Sequence, residues 1–137
     1  MKRHSYLMPI LCLALATVAF SQEKTKAAEQ AAAHWLKLVD SGNYAQSWQQ
    51  ASSTFRAAVT QEDWEHKLQA VRVPLGAVAS RQLKSAEYTT QLPGAPDGEY
   101  VVIRYNTSFE HKKTAIETVV SVLDKDGQWR VSGYFIK

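Results

Sequence analysis

The hydrophobic period of this chain changes once, and that change limits the folds open to it. Over residues 24–40, Ala28, Ala31, Ala32, Trp35, Leu36 and Val39 recur every three or four positions, the spacing of one buried helix face. Beyond Gly76 apolar residues alternate with polar ones, the spacing of a strand with one side against a core. Helical pattern comes first and strand pattern second, with no interleaving. The expected class is therefore α+β, with three N-terminal helices packed on one face of a curved four-stranded antiparallel meander.

Punctuation supports this division. Ser41-Gly42 stops the first helix, and Asn43 can cap a second carrying Tyr44, Trp48, Ala51 and Phe55, with a weak point near Ser52-Ser53. Thr60 with Asp63 makes a short version of the capping box, opening a third helix whose buried face is Trp64, Leu68 and Val71. Pro74 and Gly76 end it.

Strands are expected over 77–92, 99–109, 114–123 and 128–136. If Leu92 faces Glu99, then Thr90 meets Val101 and Tyr88 meets Ile103. If Glu110 faces Lys113 across a His111-Lys112 turn, then Thr107 meets Ile116, Tyr105 meets Thr118, Ile103 meets Val120 and Val101 meets Val122. If Leu123 faces Gln128, then Val122 meets Trp129, Val120 meets Val131 and Ile116 meets Phe135. In this register all three hairpins agree on the buried face. Gly133 inside the last strand marks a bend or a close approach.

The N-terminus reads as an export signal. Lys2, Arg3 and His4 precede an apolar run over 7–20, and Ala19-Phe20-Ser21 forms a small-x-small cleavage site before Gln22. The expected division is a signal peptide over 1–21 and one α+β domain over 22–137, periplasmic or secreted. The run is shorter than the roughly 20 residues a membrane span needs and contains Pro9, so no integral anchor is expected after cleavage. Leu11 before Cys12 lacks the small residue of a lipoprotein signal.

Cys12 is the only cysteine, so a chain starting at Gln22 has no disulfide, thiolate metal site or cysteine nucleophile. Removing Lys2 and Arg3 from 16 basic residues leaves 14 against 13 acidic ones, a net charge of +1. With both signs interspersed there is no cationic stripe, and a nucleic-acid partner is not expected.

Several segments together carry a family resemblance: AHWLKLVDSGNYAQSW, VPLGAVASR, DGEYVVIRYNTSF, AIETVV and DGQWRVSGYFIK. In these the chain resembles an exported bacterial family, domain of unknown function 4019, over nearly all of residues 22–137. That likeness implies no activity. The order of elements is also similar to cystatin-like and nuclear transport factor 2-like cones, an analogy of fold alone.

Such cones often hold a pocket between sheet and helices. In the expected register its polar lining is Tyr88, Thr90, Tyr105, Thr107 and Thr118, with Gly133 beside Thr118, a set that serves equally well as ordinary core. None is an acid or base, which leaves a helix residue such as Asp40 or Glu62 to supply one. On the outer face Asn106 is expected opposite Glu117, with Arg104 diagonal to it and Tyr134 on the next strand. This group can work as an interaction surface or as a solvated ladder. Tyr100, Val102, Val119, Leu123 and Ile136 nearby make that face more apolar than a free one requires.

His34, His66 and His111 fall on polar helix faces or a turn. Glu62 and His66 have i,i+4 metal spacing but no third ligand, so no metal and no cofactor are expected. Arg81 can cap the third helix or hold an anion. No phosphate-binding loop, nucleophile elbow or zinc-protease motif is present. The expected function is non-catalytic binding through the exposed sheet face, to an envelope protein or a second copy. The alternative is a small-ligand carrier or weak enzyme using a pocket between sheet and helices.

Overall fold

The computed structural model describes the backbone from Cys12 to Lys137 and side chains from Gln22 onward. The expected signal peptide over 1–21 lies outside the residues so described. Four helices, α1 (Cys12–Asp40), α2 (Tyr44–Gln49), α3 (Ser53–Ala58) and α4 (Gln61–Leu75), precede four strands. The strands β1 (Val78–Thr89), β2 (Tyr100–Phe109), β3 (Lys112–Leu123) and β4 (Trp129–Ile136) form one antiparallel sheet in chain order. Among the described residues no helix is long and apolar enough to cross a membrane.

The fold is α+β, with four helices where three were expected. Ser52 accounts for the extra one, because its hydroxyl accepts from Phe55 N at 3.2 Å and starts α3 anew. Asn43 occupies the cap position of α2 without a side-chain bond. Thr60 caps α4 by accepting from Asp63 N at 3.2 Å. Pro74 sits within the last turn of α4, and Gly76, at φ +74°, closes it. A Cβ at Gly76 would lie 2.9 Å from that of Glu110, so the site demands glycine on space as well as on backbone.

Helix α1 buries Ala28, Ala32, Trp35, Leu36 and Val39 against Val101, Ile103, Tyr105, Val119 and Val131 of the sheet. Trp35, Trp64 and Phe55 join at the helical end, with Trp64 edge-on to Phe55 at 4.8 Å between ring centres.

The expected register needs correction in all three hairpins. In the first, Tyr88 pairs with Val101 and Ala86 with Ile103, a two-residue shift that leaves the faces unchanged. In the second, Phe109 pairs with Lys112 across a Glu110-His111 turn, so Tyr105 meets Glu117 and Ile103 meets Val119. That slip of one residue turns Ala115, Glu117, Val119 and Ser121 inward and Ile116, Thr118, Val120 and Val122 outward. In the third, Ser121 pairs with Val131 but Val120 with Gly133, so one extra residue sits in β4. This bulge lets Trp129 and Val131 face inward at one end and Tyr134 at the other.

Packing explains why the greasier set of β3 faces out. Ser121 and Ala28 are both fully buried, and the Ser121 hydroxyl donates to the Ala28 carbonyl at 3.1 Å. A branched aliphatic side chain there would push α1 off the sheet. The slip also supplies an acid where Arg81 is half-buried.

Candidate functional site

Six elements meet at one cluster of charge and hydroxyl groups beneath the helical layer. Glu117 of β3 is 0% exposed. Its Oε1 accepts from Arg81 Nε at 2.7 Å and from Thr107 Oγ1 at 2.5 Å. Its Oε2 accepts from Arg81 Nη2 at 3.2 Å and from the Tyr134 hydroxyl. Arg81 also donates to both oxygens of Asp40, at 2.7 and 3.0 Å, from the far side of the guanidinium. Asp40 Oδ1 accepts in addition from Arg72 Nη2 at 2.9 Å, and Arg72 Nη1 reaches the Tyr134 hydroxyl at 3.4 Å.

Helix ends and strand register build this arrangement together. Asp40 is the last residue of α1, Arg72 lies in the last turn of α4, and Arg81 pairs with Thr107 across β1 and β2. Two guanidiniums oppose two carboxylates, so the cluster is neutral. Arg72 stacks over the Phe109 ring at 5.1 Å and Arg81 over Tyr105 at 6.0 Å. Among the described residues, Arg72 Nε is the one buried side-chain polar atom without a partner.

Electrostatics follow from this geometry. Burial opposes the charge on Asp40, but Arg81 and Arg72 outweigh it and hold the carboxyl below its ordinary value. Burial, the Glu117 charge and the bond to Glu117 all push the Tyr134 phenol up. Burial raises Tyr105 to about 12.

The cluster corrects two expectations at once. Glu117 and Tyr134 were expected on the outer face with Arg104 and Asn106; both lie inside, because of the slip in β3 and the bulge in β4. Arg104 and Asn106 remain outside, Arg104 lying 3.8 Å from Glu87. Of the expected pocket residues, Tyr105 and Thr107 are buried, and Tyr88 is half-buried with its hydroxyl on Glu99 at 2.8 Å. Thr118 and Gly133 belong instead to the outer face, Thr118 between Arg104 and Phe135 and Gly133 beside Val120. The set does not come together as one pocket. Arg81 neither caps a helix nor holds a free anion, and Asp40 binds the two arginines rather than ending a turn.

Glu117 has no capacity left for acid or base work. Each of its oxygens accepts two hydrogen bonds, which uses the lone pairs a base would need. Among the described residues no group of three or more His, Cys, Asp and Glu side chains gathers to hold a metal.

Two apolar depressions lie elsewhere. On the outer face, Leu92, Pro93, Ala95, Tyr100, Val120 and Gly133 surround about 280 Å³ beside Phe135. The loop before β2 forms one wall, pinned by the Tyr100 hydroxyl donating to the Pro96 carbonyl at 2.6 Å. Glycine makes the floor, since a Cβ at Gly133 would stand 3.2 Å from the Phe135 ring. Between α4 and β4, Trp64, Leu68, Ala70, Val71, Tyr134 and Ile136 line about 410 Å³ with Lys67 at the rim.

No curated protein matches the chain. Residues 31–134, which span the helical face, the cluster and most of the sheet, match the family described as protein of unknown function (DUF4019), and the chain belongs to that family.

Proposed function

We propose that this domain is a non-catalytic binding module that pairs with a second copy of itself through the outer face of its sheet. The observation that carries the reading is the juxtaposition of Phe135, 62% exposed, with the apolar hollow over Gly133 and Val120. A two-fold interface must be self-complementary, and a knob beside a hole on one face meets that requirement when each Phe135 enters the partner's hollow. Val102, Ile116 and Thr118 extend the contact, and the Glu87 and Arg104 pair with Asn106 forms a polar border. The saturated state of Glu117 supports binding over catalysis.

Sedimentation equilibrium tests this directly. The wild-type protein should be dimeric, and Phe135→Asp should be monomeric with an unchanged circular dichroism spectrum and melting temperature. A wild-type monomer at every concentration, a dimer that survives Phe135→Asp, or crosslinks from this face to a different envelope protein would each overturn the pairing.

Export forms part of the proposal, motivated by the basic, apolar and small-x-small pattern over 1–21. Fractionation followed by N-terminal sequencing should recover a protein starting at Gln22 outside the cytoplasm. A full-length cytoplasmic product would remove this part. A second reading, a carrier of small ligands, rests on the hollow between α4 and β4. Its apolar walls with Lys67 at the rim suit a chain with an anionic end. Dodecanoate should then raise the melting temperature, and Lys67→Glu should cancel the rise. No rise in the wild type would eliminate it.

A further inference from the structure

The four tryptophans differ in one respect that packing does not explain. Trp35 Nε1 donates to the Ser47 carbonyl at 2.8 Å, Trp48 Nε1 to the Val59 carbonyl at 2.8 Å and Trp64 Nε1 to Ser47 Oγ at 3.0 Å. Trp129 Nε1 has no protein partner and is not buried. Its ring is nevertheless held, because Trp129 opens β4 opposite Leu123 and packs against the core. The result is a packed aromatic ring whose single donor is left unpaired among the described residues.

Around this ring is a groove of about 350 Å³ built from three elements. His34 of α1, Gln49 at the end of α2, Gln50 just after it, and Gln128 just before β4 line it, and none of these side chains is paired with another described residue. Primary amides donate and accept, so the wall offers both kinds of hydrogen bond. Arg130 also lines the groove, but its guanidinium is taken by Asp126 at 2.7 Å and Asp124 at 3.2 Å. The groove therefore offers no free guanidinium to attract an anion.

A held indole with three amides and no free guanidinium fits a neutral ring bearing many hydroxyls. We infer that the groove formed by His34, Gln49, Gln50, Gln128 and Trp129 binds a neutral saccharide. A sugar's C–H face lies on the indole, while its hydroxyls accept from Trp129 Nε1 and exchange hydrogen bonds with the glutamine amides. The site lies at the α1, α2 and β4 edge, away from the sheet face proposed for pairing, and does not depend on that reading.

Nuclear magnetic resonance reads the four indole N–H groups separately, with Trp129 assigned by the signal that Trp129→Phe removes. Maltotriose, cellotriose and tri-N-acetylchitotriose serve as probes. At least one should move the Trp129 indole signal saturably and leave those of Trp48 and Trp64, which do not line the groove, in place. The double variant Gln50→Ala and Gln128→Ala, altered only at exposed positions, should weaken that binding about tenfold with no change in melting temperature. Absence of any shift with all three sugars overturns the inference, as does equal movement of all four signals. Unaltered affinity in the double variant overturns it too.

Discussion

The Tyr134 hydroxyl reaches the Glu117 carboxylate along a diagonal of the sheet, since Tyr134 pairs directly with Val119 and Glu117 with Ile136. This contact exists because one extra residue in β4 turns Tyr134 inward. It joins the final strand to a carboxylate already held by Arg81 and Thr107, so the bulge completes the cluster.

Breaking the cluster at Glu117 should cost more than removing the ion pair as a unit. Glu117→Leu leaves two guanidiniums, Arg72 and Arg81, facing the single Asp40 carboxylate and is expected to destabilise by about 3–5 kcal/mol in denaturant titrations. In an Arg81→Leu background the same change should cost clearly less, because Arg72 and Asp40 then balance and no excess cation is left. Equal costs in the two backgrounds would mean the pair is not coupled.

Acid should weaken the fold through Asp40 and Asp124. Both carboxyls titrate below their ordinary value in the folded protein, Asp124 at about 2 through the Ser53 hydroxyl, the backbone N–H groups of Ser53 and Lys125, and the Arg130 charge. The unfolded chain then binds more protons as pH falls, so their contribution is complete above roughly pH 4 and is lost below it. Urea midpoints taken on either side of that pH should show the fall, and Asp124→Asn should flatten it.

Alkali should act through Tyr105 and Tyr134, whose folded forms hold the phenol proton longer than the unfolded chain does. The unfolded tyrosines ionise from about pH 10, so stability falls from there toward 12 as folded Tyr105 resists ionisation. Tyrosinate absorbance should therefore rise for these two residues together with unfolding. Ionisation of all five tyrosines of residues 22–137 with native circular dichroism retained would contradict this.

Ser121→Val tests the closeness of α1 to the sheet. The substitution adds bulk at a fully buried position and removes the bond to the Ala28 carbonyl. A loss of about 1–3 kcal/mol is expected in urea unfolding. A neutral or stabilising result would show that the helix can move away freely.

Gly133→Ala tests the outer hollow. Its new methyl group meets the edge of the Phe135 ring, which can give way, so stability should change little. Self-association measured by sedimentation should weaken because the floor of the hollow rises.

The order of layers is legible in the period change near Gly76, and the meander in the alternation that follows. Strand β3 is where hydrophobicity misleads. Ile116, Thr118, Val120 and Val122 are greasier than Ala115, Glu117, Val119 and Ser121, yet the second set faces the helices. Volume and charge decide the matter: Ala28 brings α1 close, and half-buried Arg81 takes an acid as its partner. The clue available in the residues was Arg81 itself, a cation on a strand whose other side meets water. The extra residue in β4 is marked only by Gly133, which signals a bend but does not say which face Tyr134 takes. The free indole of Trp129 is likewise invisible without coordinates, since the other three tryptophans differ only in where their N–H groups end up.

Gathering Asp40, Arg72, Arg81, Thr107, Glu117 and Tyr134 at one point ties α1, α4 and all four strands to a common fate. Local opening of any one of these elements leaves the rest with an unbalanced charge or leaves the buried Glu117 carboxylate short of a hydrogen bond. Backbone amides flanking the six residues should thus exchange their hydrogens with solvent only when the entire domain comes apart, as one cooperative block rather than as separate helical and strand layers.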